Sequence, residues 1–194
     1  MNRLRLLLLA SGRGSHVVNL IQATRDGRIE GSVIRVVSDR PDAPALESAR
    51  QWGAATEVLE PHREGPRLAP EAEARLVRIA REDKADLVGL CGFMRLLRAS
   101  AIEQIGVPIL NVHPSLLPMF RGLNAQRQAI EAGVATTGAT VHRVDAGMDT
   151  GPIVLQERIP ILPGETAEEL AERLLPLEHR LYVEAIRTFQ EGGK

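Results

Sequence analysis

An asparagine and a histidine two residues apart stand at the end of a short apolar segment, and their types and spacing suit acyl chemistry. Residues 108–112 are typical of a buried strand, which runs directly into His113. Alternate residues of a strand point to the same face, so Asn111 and His113 are predicted to lie side by side. An amide donor beside a titratable imidazole suits a developing oxyanion. The alternative, that His113 only caps the following turn, stays open at this point.

A third polar residue, Asp149, lies in a glycine-rich loop between two predicted strands at 139–144 and 153–161. A carboxylate close to an imidazole favours its charged form and holds its orientation. Asp149 is therefore a candidate partner for His113. Taken alone, the Asp-Thr-Gly sequence at this point is also typical of a purely structural turn.

A glycine-rich turn at residues 11–15, Ser-Gly-Arg-Gly-Ser, joins the first predicted strand to the first predicted helix. Such a turn directs backbone N–H groups and a helix N-terminus towards an anion. The dinucleotide fingerprint is incomplete because Val17 occupies the position of its third glycine, and no Gly-Lys-Ser/Thr of a P-loop follows. The turn predicts a site for a single phosphate group, with a tight turn that binds nothing as the alternative.

Other catalytic patterns are missing from the sequence. It contains no G-x-S-x-G nucleophile elbow and no H-E-x-x-H metal helix, and its five histidines are scattered. We therefore expect catalysis without a metal ion. Residues 92–97 follow the predicted strand at 86–90, and they either line a cleft for a flat apolar ligand or pack in the core.

The elements that must position these residues alternate between strand and helix in the first part of the chain. Apolar strand-like runs at 4–10, 33–37, 56–59, 86–90 and 108–112 are separated by helix-like segments at 17–21, 45–52, 71–82 and 99–105. This alternation predicts an α/β fold with a Rossmann-like, open, mostly parallel sheet. A proline-rich loop is expected at 61–70.

The second part of the chain has a different pattern. A helix at 125–132 precedes the strands at 139–144 and 153–161, which we expect to add antiparallel strands to the sheet, and a long helix is predicted at 166–190. Thr166 and Glu169 resemble a capping box at its start, and Pro176 is expected to kink or divide it. We expect one domain over residues 1–194, with a phosphate-binding lobe at 1–107 and a catalytic lobe at 108–194.

Charge and composition restrict the partners. The chain has 194 residues and a net charge of −1, which does not suit a large nucleic-acid interface. No segment approaches the length of a membrane helix. Cys91, the only cysteine, follows an apolar run and is predicted to lie in the core. A reducing compartment fits this composition, so we expect a cytoplasmic protein without nucleic-acid or membrane partners, as a monomer or a homodimer.

Together these segments resemble the folate-dependent formyltransferases, and most closely the phosphoribosylglycinamide formyltransferase family, over essentially the whole chain. The resemblance is carried by residues 111–118, 92–95 and 145–152 and by the turn at 11–15. It implies transfer of the formyl group of 10-formyltetrahydrofolate, a co-substrate, to the amino group of glycinamide ribonucleotide in purine biosynthesis. The transfer would be direct, through a tetrahedral intermediate and without a metal.

The resemblance also implies roles for individual residues. The catalytic residues would be Asn111, His113 and Asp149. Those that bind the ribonucleotide would be Gly14, Ser15, His16, Pro114 and Glu178. Those that bind the folate would be Arg67, Met94, Arg95, Leu96, Leu97, Asn111, Asp145, Ala146, Gly147, Met148 and Asp149. Two positions near the phosphate and ribose depart from the family pattern, since His16 replaces the usual asparagine and Leu175 a polar residue.

Other activities share parts of this pattern. Formyltetrahydrofolate deformylase carries an additional N-terminal domain and methionyl-tRNA formyltransferase a C-terminal RNA-binding domain. We expect neither domain, because the first predicted strand begins at Leu4 and the sequence ends at Lys194. A deformylase, a sugar-nucleotide formyltransferase and a non-catalytic nucleotide-binding module remain as alternatives. If the chain were a non-catalytic module, the presence of Asn111, His113 and Asp149 in this pattern would be a coincidence.

Overall fold

The computed structural model describes residues 3–62 and 65–191, and the chain divides into two compact units, Met1–Leu110 and Asn111–Lys194. In chain order the elements are β1 (Leu4–Leu9), α1 (Ser15–Arg25), β2 (Gly31–Ser38), α2 (Pro44–Gln51), β3 (Ala55–Val58), α3 (Pro70–Glu82), β4 (Leu87–Leu90), α4 (Ala99–Ile105), β5 (Ile109–His113), α5 (Ala125–Glu131), β6 (Thr136–Arg143), β7 (Ile153–Pro160) and α6 (Ala167–Glu191). The strand order is β3-β2-β1-β4-β5-β6-β7.

The first unit is a parallel α/β arrangement. β1 pairs in parallel with β2 on one side and β4 on the other, and β2 pairs in parallel with β3. Residues 6–9 of β1 are fully buried, as expected for a parallel strand covered on both faces. Cys91 follows β4 and is 3% exposed, which confirms its predicted place in the core.

In the second unit, β6 and β7 form an antiparallel pair. Helix α6 contributes buried apolar side chains along its length, including Leu170, Leu174, Tyr182 and Ile186. The predicted capping box is confirmed at the start of α6. The backbone N–H of Thr166 donates to Glu169 Oε2 at 2.9 Å, and the backbone N–H of Glu169 donates to Thr166 Oγ1 at 3.2 Å.

The predicted fold class is confirmed, and the differences concern element ends. β6 begins at Thr136 instead of residue 139. Its first three residues, Thr-Thr-Gly, have no apolar pattern, and their strand conformation comes from the ladder with β7, in which Thr136 lies opposite Pro160. α6 continues through Pro176 as one helix, so the predicted division is wrong, and the alternative of a kink at Pro176 stays a prediction. The division of the sequence into a phosphate-binding and a catalytic lobe stays a prediction.

Candidate active site

Asp149 is the centre of a cluster of polar side chains in the second unit. Its Oδ1 lies 3.4 Å from both Asn111 Nδ2 and His142 Nε2. Its Oδ2 lies 3.4 Å from His113 Nδ1 and accepts a 2.9 Å hydrogen bond from the backbone N–H of Gly122. The side chains of His113, His142 and Asp149 are only 6%, 3% and 13% exposed. The three residues predicted to carry the chemistry therefore lie together, although Asn111 and Asp149 are distant in sequence.

Both nitrogens of the His113 ring face acceptors. Nε2 lies 2.8 Å from the backbone carbonyl oxygen of Phe120, and Nδ1 faces the Asp149 carboxylate. A carbonyl oxygen only accepts, so Nε2 carries a hydrogen. The ring therefore ties down the turn that follows β5 and also contacts the carboxylate, and its part in oxyanion chemistry stays a prediction.

The Asp149 carboxylate is held in its ionised form. Burial, the largest influence, raises its pKa, but the hydrogen bonds with His142 and Gly122 and the charges of His113 and His142 more than offset it, so the pKa of Asp149 is lowered from 3.8. Its backbone has a φ of 51°, in the left-handed region that non-glycine residues rarely adopt. Such backbone conformations concentrate at functional sites.

His142 is a member of the cluster that sequence reasoning missed. Its Nδ1 lies 2.9 Å from the backbone carbonyl oxygen of Arg143, so Nδ1 carries a hydrogen. Its Nε2 lies 3.2 Å from Asn111 Nδ2, which can donate to it. His142 therefore helps to orient the Asn111 amide. The available signal was its place at the end of the predicted strand that leads into the loop of Asp149.

A buried threonine on β6 supports the loop that follows β5. Thr140 Oγ1 donates to the carbonyl oxygen of Ser115 at 2.6 Å, and it accepts from the backbone N–H of Leu117 at 3.2 Å and from Gln156 Nε2 at 2.8 Å. Thr140 and Ser115 are fully buried. These bonds fix the backbone that begins directly after His113.

The loop of Asp149 returns very close to the end of β6. A Cβ atom on Gly151 would lie 1.9 Å from the carbonyl oxygen of Arg143, the same oxygen that holds His142. The backbone N–H of Arg143 also donates to the carbonyl oxygen of Pro152 at 2.9 Å. Glycine is therefore required at 151 for the loop to carry Asp149 to the cluster.

The glycine-rich turn in the first unit leads directly into α1. Gly14 is the N-cap residue, with a φ of 81°, and a Cβ atom there would lie 2.7 Å from the backbone of Ala45. No side chain caps α1, and its first turn has no acidic residue. Ser15 and His16 occupy this first turn, and His16 is 8% exposed. The turn has the features of an anion site at a helix N-terminus.

The segment Met94–Leu97, predicted to bind the folate, is tied into the first unit. The backbone N–H of Leu96 donates to the carbonyl oxygen of Pro66 at 2.7 Å, and Arg67 forms a β-bridge with Leu96. The structure thus places the predicted folate-tail residue Arg67 beside this segment. The Arg95 side chain is 12% exposed and engaged with Asp39 and with the carbonyl oxygen of Gly65. Its guanidinium therefore already binds groups of the protein itself.

The other predicted site residues lie on the elements of the second unit. Pro114 follows His113 directly, and Glu178 is buried on α6. Asp145 Oδ1 accepts from the backbone N–H of Gly147 and from Thr150 Oγ1, at 3.0 and 2.6 Å, so Asp145 stabilises its own loop. Within that loop Ala146 and Met148 are exposed.

In residues 3–62 and 65–191, no group of three or more His, Cys, Asp or Glu side chains is arranged to hold a metal ion. Over the same ranges no helix has both the length and the apolar character needed to span a membrane.

A sequence profile of the family described as formyl transferase matches residues 4–186. The chain belongs to the formyl transferase family. Phosphoribosylglycinamide formyltransferase of Escherichia coli (strain K12) is 36% identical to this formyl transferase over 189 residues, which are 97% of this chain and 88% of the relative. The crystal structure of glycinamide ribonucleotide transformylase 1 from Symbiobacterium toebii matches it with a TM-score of 0.90 at 45% identity, covering 97% of this chain and 88% of that chain.

Much longer proteins contain a similar region. Trifunctional purine biosynthetic protein adenosine-3 of Gallus gallus is 36% identical over 192 residues, which are 99% of this formyl transferase but 19% of the relative. The chain spans less than a fifth of the length of the trifunctional relatives that it matches. The family inferred from the sequence is confirmed by these similarities, and the roles of individual residues stay predictions.

Proposed function

We propose that this formyl transferase moves the formyl group of 10-formyltetrahydrofolate to the amino group of glycinamide ribonucleotide in purine biosynthesis. The observation that carries the proposal is the Asp149 cluster, in which one carboxylate contacts an amide donor and two imidazoles. Similarity over nearly the whole chain to proteins named for this reaction supports the choice of acceptor.

The cluster suits direct formyl transfer. The amine of the acceptor attacks the formyl carbon, a C–N bond forms, and the carbonyl oxygen becomes an oxyanion. Asn111 Nδ2 exchanges its long 3.4 Å contact with Asp149 Oδ1 for a hydrogen bond to that oxygen, and protonated His113 supplies the opposing charge. The bond from the formyl carbon to the folate nitrogen then breaks. The proton lost by the amine reaches that nitrogen by way of Asp149 and water, so no covalent enzyme intermediate is needed.

Asp149 contributes through its charge and its position. Its lowered pKa keeps it ionised near neutral pH. The carboxylate is 3.4 Å from His113 Nδ1, so its negative charge stabilises a protonated ring while the oxyanion forms. Holding the two reactants in one geometry supplies much of the remaining acceleration.

Binding of the two reactants is assigned to separate segments. The N-terminus of α1, with Gly14, Ser15 and His16, binds the phosphate of the ribonucleotide through backbone N–H groups. Glu178 and Pro114 contact the rest of that substrate. The Met94–Leu97 segment and the loop at 145–149 bind the folate, with Arg67 towards its tail, and no metal ion takes part.

The test measures consumption of 10-formyltetrahydrofolate with and without glycinamide ribonucleotide. We expect turnover only with the ribonucleotide and formation of one formylated ribonucleotide per folate consumed. Equal turnover in water alone would indicate a deformylase. Turnover with an amino sugar nucleotide or with methionyl-tRNA, but not with the ribonucleotide, would overturn the proposed acceptor.

A further inference from the structure

Asp39, a buried carboxylate in the first unit, has no part in the proposed chemistry. It follows β2 directly and is 3% exposed. In dinucleotide-binding folds an acidic residue near the end of the second strand takes a ribose hydroxyl. In this chain both carboxylate oxygens of Asp39 already accept hydrogen bonds from the protein. Oδ1 accepts from Ser11 Oγ at 2.5 Å, and Oδ2 accepts from Arg95 Nε at 2.7 Å.

The same carboxylate reaches the folate-binding segment by two routes. Ser11 Oγ, which donates to Asp39, accepts a 2.9 Å hydrogen bond from the backbone N–H of Met94. Arg95 is held directly, and its guanidinium also donates to the carbonyl oxygen of Gly65. The buried carboxylate of Asp39 therefore fixes the first two residues of the Met94–Leu97 segment. Met94 is held through its backbone and Arg95 through its side chain.

We infer that Asp39 is a positioning residue for the folate co-substrate, an inference that rests on the proposed function. A backbone segment binds a flat ligand well only when its N–H and C=O groups are held in place beforehand. Charge-assisted hydrogen bonds of the kind that Asp39 makes are the strongest available for this purpose. Asp39 touches no reacting atom in the proposed mechanism and acts only through Met94 and Arg95.

The test compares Asp39→Asn with the wild type and with Asp42→Asn. Asp42 is a matched control because it also pairs with an arginine, Arg40, at 2.8 Å, but on the surface, with 68% of its side chain exposed. In Asp39→Asn we expect the KM for 10-formyltetrahydrofolate to rise about tenfold, which is the effect of breaking one strong hydrogen bond. The kcat and the KM for the ribonucleotide should stay within about twofold. The control should leave all three constants unchanged.

This pattern separates positioning from a general structural role. Partial unfolding would lower the active fraction, and so kcat, without a selective rise in one KM. Equal changes in both KM values, or none in Asp39→Asn, would overturn the inference.

A second variant covers the case in which Asp39→Asn does not fold. Arg95→Gln should show the same selective rise in the folate KM. Where both single variants fold, the double variant should be no worse than either, because both act through one ion pair. Additive effects in the double variant would contradict the inference.

Binding of tetrahydrofolate, followed by calorimetry, distinguishes this inference from the proposed function. A wild-type protein that binds tetrahydrofolate but does not formylate the ribonucleotide would overturn the acceptor alone, and the loss of binding in Asp39→Asn would still support the inference. A wild-type protein that does not bind tetrahydrofolate would overturn both.

Discussion

At the scale of single residues, the site depends on one carboxylate with several partners. Asp149 contacts Asn111, His113 and His142 and also accepts from the backbone of Gly122. Removal of its charge therefore affects every member of the cluster at once, whereas the loss of any other member leaves the carboxylate with partners. Asp149 is the most informative position for substitution.

Asp149→Asn tests the part that charge plays in catalysis. The amide has nearly the same shape but cannot stabilise a protonated His113 or pass on a proton. We expect kcat to fall about 100-fold or more, as for the loss of a general acid–base group. The substrate KM values should change much less. Steady-state kinetics at neutral pH check this, and a variant with at least a third of the wild-type kcat would remove Asp149 from the proposed mechanism.

The same variant tests the stability that the ionised carboxylate provides. The pKa of Asp149 is lowered in the folded protein, so the native state favours the charged form. The resulting stabilisation is fully present when the pH is above the pKa of Asp149 in the unfolded chain. It is lost as the pH falls through the pKa of Asp149 in the folded protein. The free energy of unfolding, measured with urea, should differ between wild type and Asp149→Asn by a constant amount above about pH 5. Below about pH 4 this difference should shift in favour of the variant. If the difference in free energy of unfolding stayed the same down to the lowest pH at which both proteins fold, the lowered pKa of Asp149 would be contradicted.

At the level of strands and helices, β6 holds in place the loop that follows β5 and His113. Thr140 on β6 makes two hydrogen bonds to this loop, with Ser115 and Leu117, and a third with Gln156, and none of them is visible in the sequence pattern. The geometry of the loop that follows β5 thus depends on a neighbouring strand as well as on its own residues.

Thr140→Val should show this dependence. Valine fills a similar volume but leaves the N–H of Leu117 without its acceptor and the carbonyl oxygen of Ser115 without its donor. Gln156 Nε2 keeps its 3.0 Å hydrogen bond to the carbonyl oxygen of Leu117. The free energy of unfolding should fall by about 2 kcal/mol or more, since each unpaired buried group costs about 1–3 kcal/mol. Thr136→Val, an exposed position on the same strand, is the matched control and should change stability by less than about 0.5 kcal/mol. Equal effects in the two variants, measured by urea unfolding, would refute the supporting role of Thr140.

The elements were largely predictable from sequence, and the cluster only in part. Apolar runs such as that of β1 mark buried strands because burial on both faces requires it. The start of β6 was not predictable, because its first residues gain strand conformation from pairing with β7. His142 was missed for a similar reason. A single histidine in a strand has no spacing signature, and only the fold brings it to Asn111 and Asp149.

At the scale of the whole molecule, the charged groups of the site find their partners within the protein. Both ring nitrogens of His113 face acceptors, His142 Nε2 lies close to both Asn111 Nδ2 and Asp149 Oδ1, and Asp149 has four donors or cations around it. We therefore expect the proposed chemistry to need no divalent ion.

Activity should therefore survive the removal of metal ions. Extended dialysis against a strong chelator should leave kcat and both KM values unchanged, because no proposed step needs a Lewis acid. The assay for formyl transfer checks this, with a sample to which the divalent ion is returned as the comparison. Activity that disappears on dialysis and is restored by one divalent ion would contradict the proposal.

The burial of Cys91 makes the protein convenient for site-specific labelling. It is the only cysteine in the chain, it is 3% exposed, and burial raises the pKa of its thiol, so it is a poor nucleophile. A cysteine introduced at Met148, which is 48% exposed on the loop of Asp149, would be the only reactive thiol. A fluorophore attached there would report the surroundings of that loop as each substrate is added, with no background from the native sequence.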